Sequence, residues 1–597
     1  MGTLAGPGVG ARSFVEICFE TTWGVMPAGD DLGGVIVAGS GRAMLMTSES
    51  VQLNVGELVS ASLNPLRGVK NTIRGNSDAG GDINFEFSPD WMYSNMLKQA
   101  STEGASLGAA AAGTGRYMKV AGYRGDLGLQ VQATQAVGAA TLLLKGDYDI
   151  ANAWPTPAAN TSILAVQRDS NGYLVGTNSD QWDGTGVGAF TANTNGLHTL
   201  TFDAVTVNTY MKNAWVFPGD SVAWANAYLH YFELGPNLPV GLCVDIMRDI
   251  SLFVYTGMKI NTVTMNMNAG EIVNGTFGML GKEENCGGKL LAEVENLNAA
   301  NLSISDIRIF NDGVDIADGA PQGGSAFGDM LIGHEGGVAY TGLALAASAA
   351  YPYQGTITFA GASITLGTDP VTAAPGLGYF TGTPVSPETT RANDGAGNAV
   401  DLQAAIPDVP PYSYFEGQGY QYSGYVRDAD SYGVGDQEFE IVNATFTLDN
   451  GLFTDKFVLG SRFRAMLPEQ QRNVTGTLTF EFDNLLQYRK FYDGTEFAFD
   501  IRLVSQDTQS GWFDGGTENL PYSSVFYFAK CKYNGTTPNA DGPDLIITDF
   551  PFRSTIKSGV SGGTQGANFT GSALTDEMSF TELTYWTTTD ETADFWA

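Results

Sequence analysis

Apolar and polar residues alternate along many short stretches of the chain, a period-2 pattern that predicts half-buried β-strands. In the segment GDINFEF, Ile83, Phe85 and Phe87 fall on one face, and the polar residues between them fall on the other. The longest alternating stretch covers Asp249–Lys282, and shorter ones follow in the last third of the chain. The alternation therefore predicts a mainly β protein.

A helix-start signal follows GDINFEF, and the same combination occurs again in the last third of the chain. Aligning Gly81 with Gly476 matches one Phe-Glu-Phe with another. The alignment also places Ser88 opposite Asp483, and both residue types are good N-caps. A proline after Ser88 suits the first helical position, and we predict that this helix ends near Lys98. A strand–helix corner that recurs with preserved spacing predicts an internal duplication.

Turn-rich sequence with many Gly, Ala, Asn and Pro residues interrupts the strand pattern twice. We therefore predict two tandem β-sandwich domains, each with a flanking α-helix, and two β-rich inserted modules. The predicted first domain is discontinuous and comprises residues 1–105 and 235–285. The predicted first inserted module comprises residues 106–234, the second inserted module and linker 286–430, and the second domain 431–597.

The composition argues against several classes of protein. Gly occurs 76 times and only 16% of the residues are charged, which does not suit long charged helices. The net charge is −34, from 30 basic and 64 acidic residues. Tight binding of nucleic-acid phosphates needs clustered Lys and Arg, and the sequence has no basic run. The acidic surface would repel nucleic acid, and solubility is the simplest explanation of the charge.

The four cysteines, Cys18, Cys243, Cys286 and Cys531, are far apart and form no CxxC pair. This spacing matches neither a zinc ribbon nor a dense disulfide framework, so we predict free, mostly buried thiols. The N-terminal segment lacks the apolar region of a signal peptide, and no apolar stretch has the ~18 residues of a membrane helix. We expect synthesis in a cytoplasm and no membrane partner.

One motif indicates a hydrolase, the Gly-x-Ser-x-Gly pattern around Ser561. The α/β-hydrolase order needs a histidine after the nucleophile, but His198, His230 and His334 all precede it. Their wide separation is not that of a metal site, and we interpret them as isolated surface or core residues. The sequence therefore predicts no enzyme activity.

Two aspartate-rich turns, Asn311–Gly319 and Asp428–Asp436, contain oxygen ligands suitable for Ca²⁺. Neither has the spacing of an EF-hand loop, and Asx turns account for both. Carboxylate pairs for glycoside hydrolysis can be drawn in any chain with 64 acidic residues, so they carry no information. We predict no metal site, no cofactor and no catalytic or cofactor-binding residues.

Four segments, in this order along the chain, resemble the major tail tube proteins of long-tailed, siphovirus-type bacteriophages. They are VEICFETTWGVMPAG, GGDINFEF with its helix, YTGMKINTVTMNMNAGEIVNGTFGMLGK, and FTLDNGL with VTGTLTFEFDNLLQYRKFYDGTEFAFDIRL. In the first segment, the residues similar to a Glu/aromatic-Gly-Pro signature of the family are Glu16, Glu20, Trp23, Gly24 and Pro27. In YTGMKIN, a glycine precedes the strand that the family places in its channel-side sheet. Both predicted insertions lie outside the resemblance.

The resemblance implies a structural virion protein. In the family, β-sandwich domains join their inner sheets into one β-barrel around a channel, and rings stack helically into the tail tube that conducts DNA into the host. A duplicated chain would form a trimeric ring with pseudo-sixfold symmetry, the alternative being a hexamer. The implied partners are further copies of the chain, the tape measure protein and DNA inside the channel without specific binding, and tail terminator and distal tail proteins at the ends. The acidic balance would keep DNA from adhering.

Two other functions suit an acidic, mainly β chain. An extracellular glycan-binding or glycan-cleaving protein, such as an adhesin or depolymerase, would stack sugars on aromatic side chains. The candidates are Trp182, Trp224, Tyr420, Tyr422 and Tyr425. A surface-layer lattice protein would share the composition. Both would need an export signal, and the internal repeat favours the tube. Electron microscopy would distinguish tubes or rings from separate globules.

Overall fold

A computed structural model provides the structure of the chain. It describes residues 13–20, 22–25, 44–59, 72–103, 106–107, 116–155, 161–168, 174–177, 189–194, 196–203, 206, 208–222, 224–248, 251–286, 411–413, 441–482, 485–505, 520–535, 538, 546–558 and 577–590. It also describes the strand backbones of residues 307–311, 314–315, 340–346, 354–359, 362–366, 379–382 and 417–423.

The fold is mainly β, as the alternation predicts, and the described strands pair antiparallel apart from the short parallel pair of residues 106–107 with 117–118. The strands up to residue 248 are β1 (Ser13–Phe19), β2 (Ser48–Glu49), β3 (Gln52–Val59), β4 (Thr72–Glu86), β5 (Ser106–Leu107), β6 (Tyr117–Ala121), β7 (Leu129–Val131), β8 (Thr141–Lys145), β9 (Thr161–Arg168), β10 (Leu174–Thr177), β11 (Ala189–Thr191), β12 (Leu197–Thr201), β13 (Trp215–Asp220), β14 (Tyr228–Glu233) and β15 (Leu242–Arg248).

The remaining strands are β16 (Ser251–Asn268), β17 (Asn274–Gly281), β18 (Glu283–Cys286), β19 (Ile307–Asn311), β20 (Val314–Asp315), β21 (Tyr340–Ala346), β22 (Gln354–Phe359), β23 (Ala362–Leu366), β24 (Tyr379–Gly382), β25 (Gly417–Ser423), β26 (Ile441–Asp449), β27 (Asn473–Glu481), β28 (Phe497–Val504), β29 (Ser523–Tyr533), β30 (Ile547–Ser554) and β31 (Thr584–Thr589). The helices are α1 (Trp91–Gln99), α2 (Tyr148–Asn152) and α3 (Leu486–Tyr492), with a 3₁₀ turn at Gly125–Leu127. Within the described residues, no helix combines the length and the apolar character needed to cross a bilayer.

Both predicted strand–helix corners are present, because β4 leads into α1 and β27 leads into α3. The predicted cap of α1 is wrong. Its N-cap is Asp90 rather than Ser88, because the Asp90 carboxylate accepts a hydrogen bond from the Met92 backbone N–H at 2.8 Å. Pro89 consequently precedes the cap and does not occupy the first helical position.

The second corner lacks such a cap. α3 follows Leu485, whose side chain forms no capping hydrogen bond. Leu485 therefore replaces the predicted cap Asp483, which lies outside the described residues. The end of α1 agrees with the prediction, since the helix stops at Gln99, next to Lys98.

Seven strands from both ends of the chain form one antiparallel sheet in the order β3–β4–β17–β16–β26–β27–β30, which we call the long sheet. β2 also pairs with β4. The first half of the chain (β1–β18) meets the second half (β25–β31) where β16 pairs with β26, from Thr262 opposite Asp449 to Asn268 opposite Asn443. The two halves therefore share one sheet without a break.

The strand pairings of the first half recur in the second half. β1 pairs with β15, β15 with β16, and β16 with β17 and β18. In the same order, β25 pairs with β28, β28 with β29, and β29 with β30 and β31. Both β15–β16 and β28–β29 contain a register shift, next to Leu242 opposite Met258 and next to Phe497 opposite Cys531. These two pairs define equivalent positions in the two halves.

Gly81 and Gly476 occupy similarly tight positions in the long sheet. A Cβ atom on Gly81, where φ is +153°, would lie 2.4 Å from the Ser50 carbonyl oxygen. A Cβ atom on Gly476 would lie 2.3 Å from the Thr445 carbonyl oxygen. Ser50 precedes Gly81 by the same number of residues as Thr445 precedes Gly476. In both halves, close approach of the neighbouring strand requires glycine.

The main hydrophobic core lies on one face of the long sheet and combines residues of both halves. Phe85 stacks on Phe277 with ring centroids 4.4 Å apart, and the Phe446 and Phe526 centroids are 5.0 Å apart. α1 is buried in this core. Burial of so many aromatic side chains is the principal stabilising contribution to this packing.

The first predicted inserted module contains a separate seven-stranded sheet, in the order β10–β9–β13–β7–β8–β12–β11. Its core continues into the second half, since the Trp215 ring lies 4.7 Å from that of Trp586 and 5.0 Å from that of Tyr527. Arg502, buried in the second half, donates to the Asp126 carbonyl at 2.9 Å. β14 also pairs with β31. The first inserted module is thus inserted into the first half of the chain but packs on the second half.

Candidate functional site

The face of the long sheet opposite the main core, which we call the polar face, is lined mainly by Asn and Thr. One row of residues in register crosses six strands from β4 to β30. Its members are Asn84, Thr276, Thr264, Thr447, Thr475 and Arg553. Because successive residues of a strand point to opposite faces, each member alternates with core residues such as Phe85 and Phe446. The row continues across the junction between the halves.

Side chains of this row hydrogen-bond across neighbouring strands. The Asn84 amide donates to Ser48 Oγ at 2.8 Å, and Thr276 Oγ1 donates to Asn84 Oδ1 at 2.6 Å. At the junction of the halves, the hydroxyl oxygens of Thr264 and Thr447 are 3.1 Å apart. These bonds link polar groups of neighbouring strands, and the row from Asn84 to Thr475 forms a strip of short, uncharged side chains that ends at Arg553.

Charged residues of the polar face flank this strip. The described carboxylates are Asp82, Glu86, Asp449, Glu481 and Asp549. The exposed basic residue in the row is Arg553. Towards one end of the sheet, two further basic groups are paired with acids: Lys259 with Glu469 at 2.5 Å and Arg464 with Asp78 at 3.1 Å. Carboxylates therefore outnumber unpaired basic groups on the described part of this face.

The two strands at the lateral edges of the long sheet, β3 and β30, leave all or part of one side without a paired strand among the described residues. In the described residues, β3 pairs only with β4, and its Val55 and Leu58 side chains are exposed. At the other edge, β30 pairs with β27 along its whole length but with β29 only at Phe552–Ser554. Unpaired strand edges offer main-chain groups to a further strand.

The sequence signature near the N-terminus forms a buried corner against β16. The Glu20 carboxylate accepts hydrogen bonds from the backbone N–H groups of Gly24 (2.5 Å) and Gly257 (2.6 Å). The Trp23 indole donates to the Gly257 carbonyl at 3.1 Å. Lys282 Nζ donates to the Gly24 carbonyl at 2.9 Å. The structure thus joins Glu20, Trp23 and Gly24 of the signature to the glycine of YTGMKIN.

The Glu20 carboxyl is buried among these groups. Burial raises its pKa from 4.5 to about 7, although the two backbone hydrogen bonds and Lys282 act in the opposite direction. For the other two signature residues, the Glu16 side chain and Pro27 lie outside the described residues. The corner therefore fixes the end of β1 to β16, beside the long sheet.

Two of the three histidines are core residues, as interpreted from the sequence. His198 is buried, with Nε2 3.0 Å from the Gly146 carbonyl, and burial lowers its pKa. His230 is buried, with Nδ1 2.8 Å from the Tyr117 hydroxyl. His334 lies outside the described residues. In the described part of the chain, no group of His, Cys, Asp and Glu has the arrangement of a metal site.

The remaining sequence candidates are separated or lie outside the described residues. Cys243 and Cys531 are buried thiols that form no disulfide, as predicted, whereas the side chains of Cys18 and Cys286 lie outside the described residues. Ser561 and the side chains of the two aspartate-rich turns, Asn311–Gly319 and Asp428–Asp436, also lie outside the described residues.

Of the five aromatic candidates for glycan stacking, Trp224 is buried against Leu520 and Tyr522 and offers no face to a sugar. The other candidates, Trp182, Tyr420, Tyr422 and Tyr425, have no described side chain. Sequence reasoning missed the hydrogen-bonded row of the polar face, although the alternation of Asn and Thr with apolar residues was its signal.

Comparison with protein-family models gives a match over residues 10–320 to the family described as phage tail tube protein. The match includes the Glu20 corner, α1, the first inserted module and the β16–β17 hairpin of the long sheet. None of the curated proteins compared with the chain matches it. Since the matched residues are more than half of the 597-residue chain, the protein belongs to the phage tail tube family and is a structural component of the virion tail.

Proposed function

We propose that this protein is a duplicated tube subunit of a long-tailed, siphovirus-type phage, and that its polar face lines a channel for DNA. The observation that carries the proposal is the long sheet. Two halves contribute strands to one continuous sheet with an apolar face covered by the core and a polar face left open. Its two lateral edges are available for further strands.

Duplication is supported by the recurring pairings, the equivalent register shifts and the matching glycine positions. We propose two tube domains, the first comprising residues 1–105 and 235–285 and interrupted by the module at 106–234. The second follows the region 286–430. Its predicted start at residue 431 moves to β25 in this proposal, because β25 pairs with β28 as β1 pairs with β15.

Ring closure would repeat between chains the junction that β16 and β26 form within the chain. The β29–β30 edge of one copy would meet the β2–β3 edge of the next, and a heterologous contact of this kind closes into a ring when the rotation permits. Two tube domains per chain make a trimer with pseudo-sixfold symmetry. Rings stacked helically would form the tube, with the tape measure protein and DNA inside and tail terminator and distal tail proteins at the ends.

The chemistry of the polar face suits passage of DNA without retention. Short uncharged side chains bonded to one another offer few free donors to phosphate, and the carboxylates of the polar face, which outnumber the exposed Arg553, repel it. Basic walls would bind DNA through release of counterions. No catalytic step enters this proposal, and synthesis in the host cytoplasm before assembly is part of it.

Electron microscopy of the purified full-length chain, with the mass of isolated rings, tests the proposal. We expect rings or tubes of three 63.3-kDa chains, with Thr264 and Thr447 on the channel wall. A ring of six chains would limit the barrel to one domain per chain. A wall formed by another face of the sheet would reject the channel assignment.

A further inference from the structure

Helix α3 carries an exposed stripe that no part of the described chain covers. Leu485, Arg489 and Tyr492 are spaced four and three residues apart, so they lie on one face of the helix. Leu485 is 51% exposed and Tyr492 77% exposed, and Arg489 is also exposed. Tyr488 and Phe491, on the other side, pack partly against the main core. The stripe is an outward surface with an apolar residue at each end and a positive charge between.

The equivalent stripe of α1 is completely covered inside the chain. The alignment of Gly81 with Gly476 places three buried residues at the same helical positions: Asp90, Ser94 and Leu97. The second half supplies part of the cover. Tyr585 Oη lies 2.8 Å from Ser94 Oγ, and the Asn450 amide donates to the Ala100 carbonyl at 2.9 Å. The second half, which follows across the β16–β26 junction, thus contributes to the burial of the first-half helix.

We propose that the exposed stripe of α3 docks on the first half of a neighbouring copy of this chain, as α1 docks on the second half within the chain. This inference rests on the proposed ring, in which every tube domain is followed by another. It assigns the contact to a particular helix face and to a particular strand, β18, of the neighbour.

β18 is the counterpart of β31, which covers α1. Cys286 of β18 pairs with Phe253, and Tyr585 of β31 pairs with Phe526. Met258 and Cys531 lie next to the equivalent register shifts. Phe253 and Phe526 occupy equivalent positions, because Phe253 precedes Met258 by the same number of residues as Phe526 precedes Cys531. β18 of a neighbouring copy therefore takes the place of β31 over α3.

The charges of the two surfaces complement each other. Two residues before Tyr585, immediately before β31 begins, the second half has Leu583, which is buried in the main core. At the equivalent position β18 has Glu284, which is half-buried. The helical positions differ in the opposite sense, since neutral Ser94 of α1 is replaced by Arg489 of α3. Within the chain, the compared positions Ser94 and Leu583 are both uncharged. At the proposed contact the equivalent positions carry a base, Arg489, and an acid, Glu284.

Charge exchange tests the contact. We would purify full-length Arg489→Glu, Glu284→Arg and the double variant, and measure ring and tube formation by sedimentation and electron microscopy as a function of concentration. Each single change should raise the concentration needed for assembly at least about tenfold, and the double variant should recover most of the loss. Tyr492→Glu should block assembly without unfolding the chain, because its side chain is largely in solvent.

Val222→Glu is the matched control, because Val222 is 62% exposed and lies on the first inserted module. We expect this variant to assemble normally. Assembly of Tyr492→Glu and Arg489→Glu at the native concentration would overturn this contact while leaving the ring intact. Two equally impaired single variants with no recovery in the double variant would also overturn the pairing of Arg489 with Glu284. Failure of the unmodified chain to form rings would instead reject the proposed function.

Discussion

The β15–β16 pair of the first half and the equivalent β28–β29 pair of the second half end in different chemistry. In the first half, Gly241 precedes Leu242 and Gly257 precedes Met258; in the second, Glu496 precedes Phe497 and Lys530 precedes Cys531. Since Leu242–Met258 and Phe497–Cys531 are equivalent pairs, the two glycines correspond to a glutamate and a lysine. The Glu20 corner of the first half is closed around a buried carboxylate. Its second-half counterpart, at Glu496 and Lys530, carries a surface ion pair.

The difference shows how one strand pairing tolerates opposite solutions. The two glycines leave room for Glu20, whose Oε2 would lie 2.3 Å from a Cβ atom on Gly241. In the second half the carboxylate comes from the strand itself, and Glu496 lies 3.3 Å from both Lys530 and Lys532 in solvent. A buried charge needs hydrogen bonds in fixed positions, whereas an exposed pair needs only proximity. The first corner should therefore be rigid and intolerant of substitution.

Replacing Gly257 with Ala should produce the largest effect. Gly257 has φ +67°, and a Cβ atom would lie 2.8 Å from Lys282 Cβ and 3.1 Å from the Trp23 ring. We expect a loss of about 4 kcal/mol in the local opening free energy of β16, from backbone strain and from displacement of Trp23. Native-state hydrogen exchange of the β16 and β29 peptides measures this locally, as a chain of this size need not unfold in one step.

Lys530→Ala, at the equivalent position, is the control and should change the opening of β29 by less than about 0.5 kcal/mol. Equal losses at the two positions would show that the corners do not differ in rigidity, and the comparison would fail.

The second prediction concerns the pH dependence of the Glu20 corner. Its pKa in the folded chain, about 7, is above the ordinary 4.5, so the folded state holds the proton more tightly than the unfolded state. The stabilising contribution is therefore complete below pH 4.5 and is lost as the pH rises towards 7. The shift corresponds to about 3 kcal/mol in the opening free energy of this corner.

Comparison with Glu20→Gln isolates this group from the many other carboxylates. The difference in β16 opening free energy between the native chain and the variant should shrink as the pH rises from 4.5 to 7. Gly24 and Gly257 each donate to a different oxygen of Glu20, and glutamine replaces one of these oxygens with an NH2 donor, so we also expect the variant to be weaker at every pH. Parallel pH profiles would show that Glu20 does not titrate in this range.

Local sequence patterns were sufficient to predict the mainly β class, the alternating strand pattern of the Asp249–Lys282 stretch and both strand–helix corners. Alternation reports which face of a strand is buried, and a glycine at a tight position reports a close neighbour. The helix cap was wrong because Ser88 and Asp90 are both good caps, and only the backbone course decides which side chain reaches a free N–H group.

Contacts between distant segments could not be predicted in the same way. Trp586 packs on Trp215 of the inserted module, although hundreds of residues separate them, and nothing in either local sequence names the other. The same holds for the Thr264–Thr447 contact at the junction of the halves, which depends on the register of two strands. The Glu20 corner was partly accessible, since the signature named Glu20 and Trp23 but not their hydrogen bonds to Gly257.

The smallest effect is expected at the second-half counterpart of the Glu20 corner, where Glu496 pairs with Lys530 and Lys532. Burial alone would raise the pKa of Glu496, but Lys532 and Lys530 outweigh it and hold the pKa below 4.5. Its contribution is therefore present above pH 4.5 and is lost as the pH falls, opposite in sign to that of Glu20. Glu496→Gln should cost less than about 1 kcal/mol at neutral pH, because the pair is solvated, and the cost should vanish in 1 M salt. Hydrogen exchange of β29 at low and high salt measures it. A loss that persists in high salt would mean that Glu496 supports the corner by packing, and the contrast between a buried and a solvated carboxylate would no longer explain the two halves.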